Sequence, residues 1–415
     1  MNSMIRLFPI LIILPVAINI FSVSGKPVYF VLSDICFFVF PLVMLLGFKR
    51  FDGNKHTLET KSLLILVVIS VFVMVVIGVI GSIRLGGDYL PIISSVRLMK
   101  SHFFFVIGVY LALHIRSDNL LRIFRITSLL VVSIFVFSDV IWGNFPYPRL
   151  GGLFFNSEVY GFPNSSAVFY SVFFASIVNG LINSKSKIMT LVYALASITL
   201  IAIITATLSR AGMLNVILFM LLMLFSGGKG YKFIFIISVI SIFSLTSYLM
   251  INFPDLLVGL ESKFDKFDDN QDLSNGRFDI WIHALDLFSQ KPILGYFFEP
   301  FSNYSLHDTP HNQYIELLYK VGFIGLVAYL LPAMYALFKL KSSNASYYSD
   351  AKLGELRLIT IALVVCILVT NNVQPNLSYT PTGVLIYFLL GFTLCKVTQR
   401  HNLGQRNETS ITRHG

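Results

Sequence analysis

The chain has 415 residues, of which 55% are hydrophobic, 14% aromatic and only 13% charged, with a mean hydropathy of +0.76. A soluble domain carries about 25% charged residues, so this composition excludes an ordinary soluble fold and places the chain in the membrane class. The net charge of +10 would suit a nucleic-acid binder, but its distribution follows a membrane topology instead.

A bilayer span needs about 20 mostly apolar residues. Segments 5–24, 28–48, 62–82, 101–115, 120–142, 161–182, 188–208, 211–226, 231–252, 314–338, 355–372 and 381–398 predict ten to twelve transmembrane helices. The first, "LFPILIILPVAINIF", resembles a signal peptide, yet no small-residue cleavage site follows, and it reads as a retained helix. With the N-terminus in the cytoplasm, most Lys and Arg fall in cytoplasmic loops: "KRFDGNKHTLETK", Arg116, Arg122, Arg125, Lys185, Lys187, Lys229, Lys232 and the stretch from Lys339 to Arg357. That is a positive-inside signal, and no nucleic-acid partner is expected. The three cysteines, Cys36, Cys366 and Cys395, sit in apolar runs without metal-like spacing, so neither a disulfide framework nor a zinc site is implied.

The chain divides into N-terminal transmembrane helices at 1–252, a polar outward loop at 253–313, C-terminal transmembrane helices at 314–398 and a cytoplasmic tail at 399–415. Loops longer than about 15 residues are usually functional or disordered. The first half of this one, "ESKFDKFDDNQDLSNG", is acidic surface. Its second half, "RFDIWIHALDLFSQKP", carries Phe278, Trp281, Leu285 and Phe288 at helical spacing. It predicts an amphipathic helix, lying on the membrane or capping the bundle and ended by Pro292.

Ionisable residues in or beside spans are costly. Arg84, Arg97, Lys100, Arg149, Arg210, Arg277 and His311 all fall at outer helix ends or in outer loops, against the positive-inside trend, and Asp34 and Asp139 lie inside spans near the same face. Together they predict one polar site at the outer membrane boundary. Arg210, in "LSRAGML", stands at a tight turn between two apolar segments. It either snorkels to headgroups or grips a phosphate bidentately. In "HDTPHNQYIELLYKVGFIG", Thr309 suits an N-cap, Pro310 the first helical position and His311 the first turn. The helix dipole there disfavours the imidazolium, leaving His311 able to accept a proton. His307 and His311 are four apart, but the intervening cap and proline break a common helix and no third ligand is present, so no metal is expected. His283 reads as amphipathic surface, and Asp34 and Asp139 as ion-pair partners of the outer cations.

These stretches, in this order, resemble the O-antigen ligase and O-antigen polymerase superfamily. Arg210 and Leu214 match its Arg-x3-Leu element, and Gly276, Arg277 and Trp281 match Gly-Arg-x3-Trp. His311 and Asn312, with Gly322 and Gly325, match His-Asn-x9-Gly-x-x-Gly. "RLGGLFFNSEVYGFPNSSA", from Arg149, is similar to the family's Arg-x-x-Gly-x-Phe and Pro-Asn-x-x-Ala stretch with an insertion between the halves. The resemblance implies a GT-C-type helical bundle in a bacterial inner membrane, its site facing the periplasm. It implies a metal-independent, cofactor-free glycosyltransferase whose donor is a glycan on undecaprenyl diphosphate. Arg210 and Arg277, with Arg149 and Arg97 as further candidates, would bind the diphosphate; His311 would be the base, supported by Asn312, Asp34 and Asp139. Some ligases carry Thr-Thr after the last glycine where this chain has Leu326-Val327, which favours a polymerase acting on the next lipid-linked repeat unit. The alternative acceptor is lipid A–core or protein, for a ligase. A polymerase would also work with membrane lipids and a chain-length regulator. A multi-span transporter or lipid-linked glycan flippase is the rival of another class, but the two halves differ and the unusual charges gather at one face, not at a midplane site. A peptidoglycan polymerase of the shape and division type would rely on an acidic loop residue instead.

Overall fold

The computed structural model describes residues 2–14, 17–23, 26–47, 58–136, 163–207, 209–225, 229–252, 277–343, 350–378 and 380–411. In chain order these form α1 (Asn2–Ile13), β1 (Ala17–Val23), β2 (Lys26–Val31), α2 (Leu32–Gly47), α3 (Leu58–Arg84), α4 (Leu90–His114), α5 (Ser117–Phe135), α6 (Pro163–Asn183), α7 (Lys187–Ala206), α8 (Arg210–Phe225), α9 (Lys229–Asn252), α10 (Arg277–Gln290), α11 (Gln313–Ser342), α12 (Ala351–Thr370) and α13 (Thr380–Ile411). Among them α3, α4, α6, α7, α11, α12 and α13 contain seven spans long and apolar enough to cross a membrane, and the apolar parts of α8 and α9 are shorter. The molecule is a multi-span, α-helical membrane protein.

Several spans differ from the sequence expectation; the second, 28–48, opens in β2 and is helical only from Leu32. Residues 5–24 are not one helix: α1 stops at Ile13, and β1 pairs antiparallel with β2. Pro15 lacks an N–H and disfavours helical geometry at Leu14, and the β-branched and aromatic residues beyond it suit a strand. The short fourth segment, 101–115, proves to be the second half of a 25-residue helix that begins just before Pro91. Arg97 and Lys100 are therefore turns of α4 rather than loop residues. The fifth, α5, is amphipathic, carrying Asp118, Asn119, Arg122 and Arg125 in its first half.

The centre of the bundle is the crossing of α4 and α13. A Cβ on Gly108 would lie 2.3 Å from the Phe388 carbonyl oxygen, and one on Gly391 would lie 2.1 Å from that of Phe105. Only glycine permits backbones to approach this closely. His102 sits in this core, with Nε2 3.1 Å from both Ser70 Oγ and the Tyr329 carbonyl oxygen, so it ties α3, α4 and α11 together.

Cross-links between helices establish which ends lie together. At one end Arg125 of α5 donates to Asn179 of α6 and, at 3.2 Å, to Glu355 near the start of α12. The start of α6 and the finish of α12 thus share the opposite end. There Gly212 of α8 lies against Ala167 of α6, and the Gln313 amide donates to the Asn371 carbonyl at 2.9 Å. Arg84, closing α3, lies 4.7 Å above the ring of Phe297 in the segment that leads into α11. Arg84, Arg210, His311 and the α12–α13 connection therefore occupy one end of the bundle.

Candidate functional site

The site is built around the start of α11. Asn312 is its N-cap, its Oδ1 accepting from the Tyr314 and Ile315 amides at 3.0 and 3.2 Å. This corrects the cap expected at Thr309. His311 has φ +55°, a left-handed conformation that cannot belong to the first turn and that non-glycine residues adopt at a cost. It precedes the helix and is exposed. Thr309 Oγ1 instead accepts from the His311 amide at 3.3 Å and lies 3.5 Å from its Nδ1.

The imidazole is held below the ordinary histidine range, as expected, but for a different reason. Partial desolvation is the largest cause, and the positive charge of Arg277 adds to it, with His307 acting in the same direction; Glu316 and Asp308 oppose. His311 therefore stays neutral and able to accept a proton at a lower pH than a free histidine would.

The motif spacing of Arg277 and Trp281 places both on one face of α10, and that face makes the contacts. Arg277 Nη1 donates to the Val373 carbonyl at 2.9 Å, and Trp281 Nε1 donates to that of Pro310, next to His311, at 2.7 Å. The apolar face of α10 is not the expected stripe. Ile280, Ala284 and Leu287 are buried with Tyr296, Phe301 and Tyr319, whereas Phe278 and Leu285 are exposed. The helix packs on α11 and so carries Arg277 to His311. His283 lies on its flank, 2.8 Å from the Tyr304 carbonyl oxygen. His307 is exposed, and no metal-binding cluster occurs among the described residues.

The Gly-x-x-Gly element is a break in α11, not a smooth continuation of the helix. Gly322 has φ +66° and ψ −169°. The freed backbone groups bond to the segment after α10: the Tyr296 and Phe298 amides donate to the Tyr319 and Lys320 carbonyls at 2.8 and 3.0 Å, and the Phe323 and Ile324 amides donate to those of Pro292 and Ile293 at 2.9 and 3.2 Å. A Cβ at Gly322 would lie 2.3 Å from the Ile293 oxygen. This exchange satisfies a broken helix at membrane depth, where unpaired backbone groups are costly.

Arg210 is the first residue of α8, after Ser209, whose Oγ accepts from the Gly212 amide at 3.2 Å. The guanidinium is exposed, and Leu214, one turn on, shares its exposed face. Arg210 and Arg97 make no hydrogen bond or ion pair among the described residues. Asp34, in the first turn of α2, pairs with Lys100, one of the outer cations. Arg149, Asp139 and Gly276 lie outside the described residues.

Sequence reading missed Gln313 and the 371–378 connection. Gln313 Oε1 accepts from the Ser378 amide and hydroxyl at 3.0 and 2.6 Å, and Asn371 Oδ1 accepts from the Asn376 and Leu377 amides at 3.1 and 3.3 Å. The signal was "NNVQPN", a run of amides between two apolar helices.

Residues 195–330 match the family model described as O-Antigen ligase. This segment is an O-antigen ligase family domain. It runs from within α7 to beyond the break in α11, and it contains Arg210, Arg277, His311, Gly322 and Gly325. Arg97 and the 371–378 connection lie outside it. No curated protein matches the chain.

Proposed function

We propose that the protein is an O-antigen or surface-polysaccharide polymerase, transferring glycan from undecaprenyl diphosphate to the next lipid-linked repeat unit at the periplasmic face of the inner membrane. The observation that carries this reading is His311, turned out ahead of α11 and kept neutral beside Arg277. In the reaction the acceptor hydroxyl attacks the anomeric carbon and its proton passes to His311. The bond to the diphosphate breaks in line, with inversion, and undecaprenyl diphosphate leaves. Arg210 and Arg277 bind the diphosphate and stabilise its growing charge, with Arg97 and Arg149 as further contacts. Asn312 supports the reaction by fixing the backbone at His311, and Asp34 takes part through Lys100. Helices α2, α3 and α4 line an almost wholly apolar recess of about 510 Å³, walled by Phe37, Val67, Val71, Phe72 and Phe103 with Lys100 as its one charged residue, which suits a stretch of the isoprenoid chain.

In the test, His311→Ala inserts normally but produces no long-chain polysaccharide; normal chains from that mutant refute the role. The description of the matching family favours a second reading, a ligase that moves finished glycan to lipid A–core or protein. Lipopolysaccharide from a deletion strain separates them: core plus one repeat marks a polymerase, bare core a ligase.

A further inference from the structure

Arg277 and His311 share the proposed site, yet they come from separate elements. Besides the Trp281–Pro310 bond and the packing of α10 on α11, they are joined by the connection between α12 and α13, which lies outside the matched domain. Arg277 donates to the Val373 carbonyl at 2.9 Å. Two residues earlier, the Asn371 carbonyl accepts from the Gln313 amide at 2.9 Å, two residues from His311. The connection is therefore a bridge with one foot on each functional residue.

Side-chain amides keep the bridge rigid. Asn371 Oδ1 accepts from the backbone amides of Asn376 and Leu377, closing the turn on itself, and Asn376 Nδ2 donates to Thr370 Oγ1 at 3.1 Å. Gln313 Oε1 accepts from Ser378, pinning the far end of the turn to α11. Asn371, Asn376 and Gln313 are all fully buried. The orientation of two of these amides is chemically forced, because a backbone N–H can only donate. The oxygen of Asn371 and that of Gln313 must face those donors, and their NH2 groups make no hydrogen bond of good geometry among the described residues. The acceptor half of each side chain is thus the half that shapes the turn.

We propose that Asn371, with Gln313, is a positioning residue that sets the placement of Arg277 against His311 for glycosyl transfer. This rests on the glycosyltransferase reading. It adds the α12–α13 connection, from outside the matched domain, to the Arg277 and His311 that lie within it.

The test uses the full-length protein in detergent or nanodiscs, with purified lipid-linked repeat units. Asn371→Leu removes the acceptor and is expected to lower kcat ten-fold or more with little change in KM. Asn371→Asp keeps an acceptor oxygen on the Asn376 and Leu377 amides, whose two N–H groups also support the carboxylate that replaces the amide, and is expected to stay within about three-fold of wild type at a pH where His311 is neutral in both. In Asn371→Leu the acid limb of the pH–rate profile should also move to higher pH. Arg277 no longer depresses His311 there, while Glu316 and Asp308, which raise it, and His307, which lowers it, are unchanged. A structural role alone would reduce the yield of folded protein without moving that limb. Should Asn371→Leu fail to fold, Gln313→Leu and Gln313→Glu pose the same question from the other foot. An unchanged kcat and limb in the leucine variants overturns the bridge, as does an acid variant as impaired as its leucine counterpart. If wild-type protein shows no turnover, the glycosyltransferase reading itself falls, a result distinct from either.

Discussion

Where α5, α6 and α12 meet, Arg125 donates to Asn179 and Glu355, and Lys352 closes on the other oxygen of the same carboxylate at 2.6 Å. At the opposite end of the bundle, Arg97 and Arg210 make no ion pair among the described residues, and Arg277 donates to a neutral carbonyl. Charge near a membrane is costly at both ends. At the first it is neutralised within the protein and holds helices together. At the second, the charges of Arg97 and Arg210 have no carboxylate partner among the described residues, which suits an anionic group supplied by a substrate.

Substitutions at each end test that contrast. The largest expected effect is on the backbone of the site end. Gly322→Ala places a Cβ against the Ile293 carbonyl at a positive φ, and is expected to destabilise the fold by at least about 3 kcal/mol, read as loss of folded protein in detergent. Next comes Arg210→Lys, which keeps the charge but not the fork that grips two oxygens. Transfer should fall roughly 100-fold with normal membrane insertion. Near-full activity would return Arg210 to a headgroup-snorkelling role. At the ion-paired end, Arg125→Met should lower stability by about 1–3 kcal/mol and leave the kcat of the folded fraction unchanged. The smallest effect belongs to Arg116→Ala. Its pair with Asp118 spans 3.2 Å but is largely exposed, so thermal unfolding should move by less than about 0.5 kcal/mol.

Short-range signals in the sequence translated well into this structure. The i, i+4 spacing of Arg277 and Trp281 put both on one helical face, and the hydropathy of α3, α7, α11 and α12 gave their spans directly. Features set by competition between local choices were less legible. Thr309 and Asn312 are both good caps, and the choice between them was made by the left-handed turn at His311. The break at Gly322 was hidden because apolar periodicity continues through it, while the backbone partners that satisfy it come from residues 292–298. The β-hairpin was hidden for a related reason, since a short apolar run reads equally well as strand or helix. Gln313 and Asn371 are 58 positions apart in the chain, and only tertiary packing brings their bonds together.

The central claim, that His311 is the base of a site whose cations hold an anionic leaving group, is tested most directly by the pH dependence of kcat/KM for purified protein on lipid-linked repeat units. His311 is held below its ordinary value, so its neutral form persists to lower pH, and activity should fall only as the pH drops through that depressed value. The account predicts a single acid limb below the ordinary histidine range, absent from whatever residual rate His311→Ala retains. An acid limb that is unchanged in His311→Ala would contradict it.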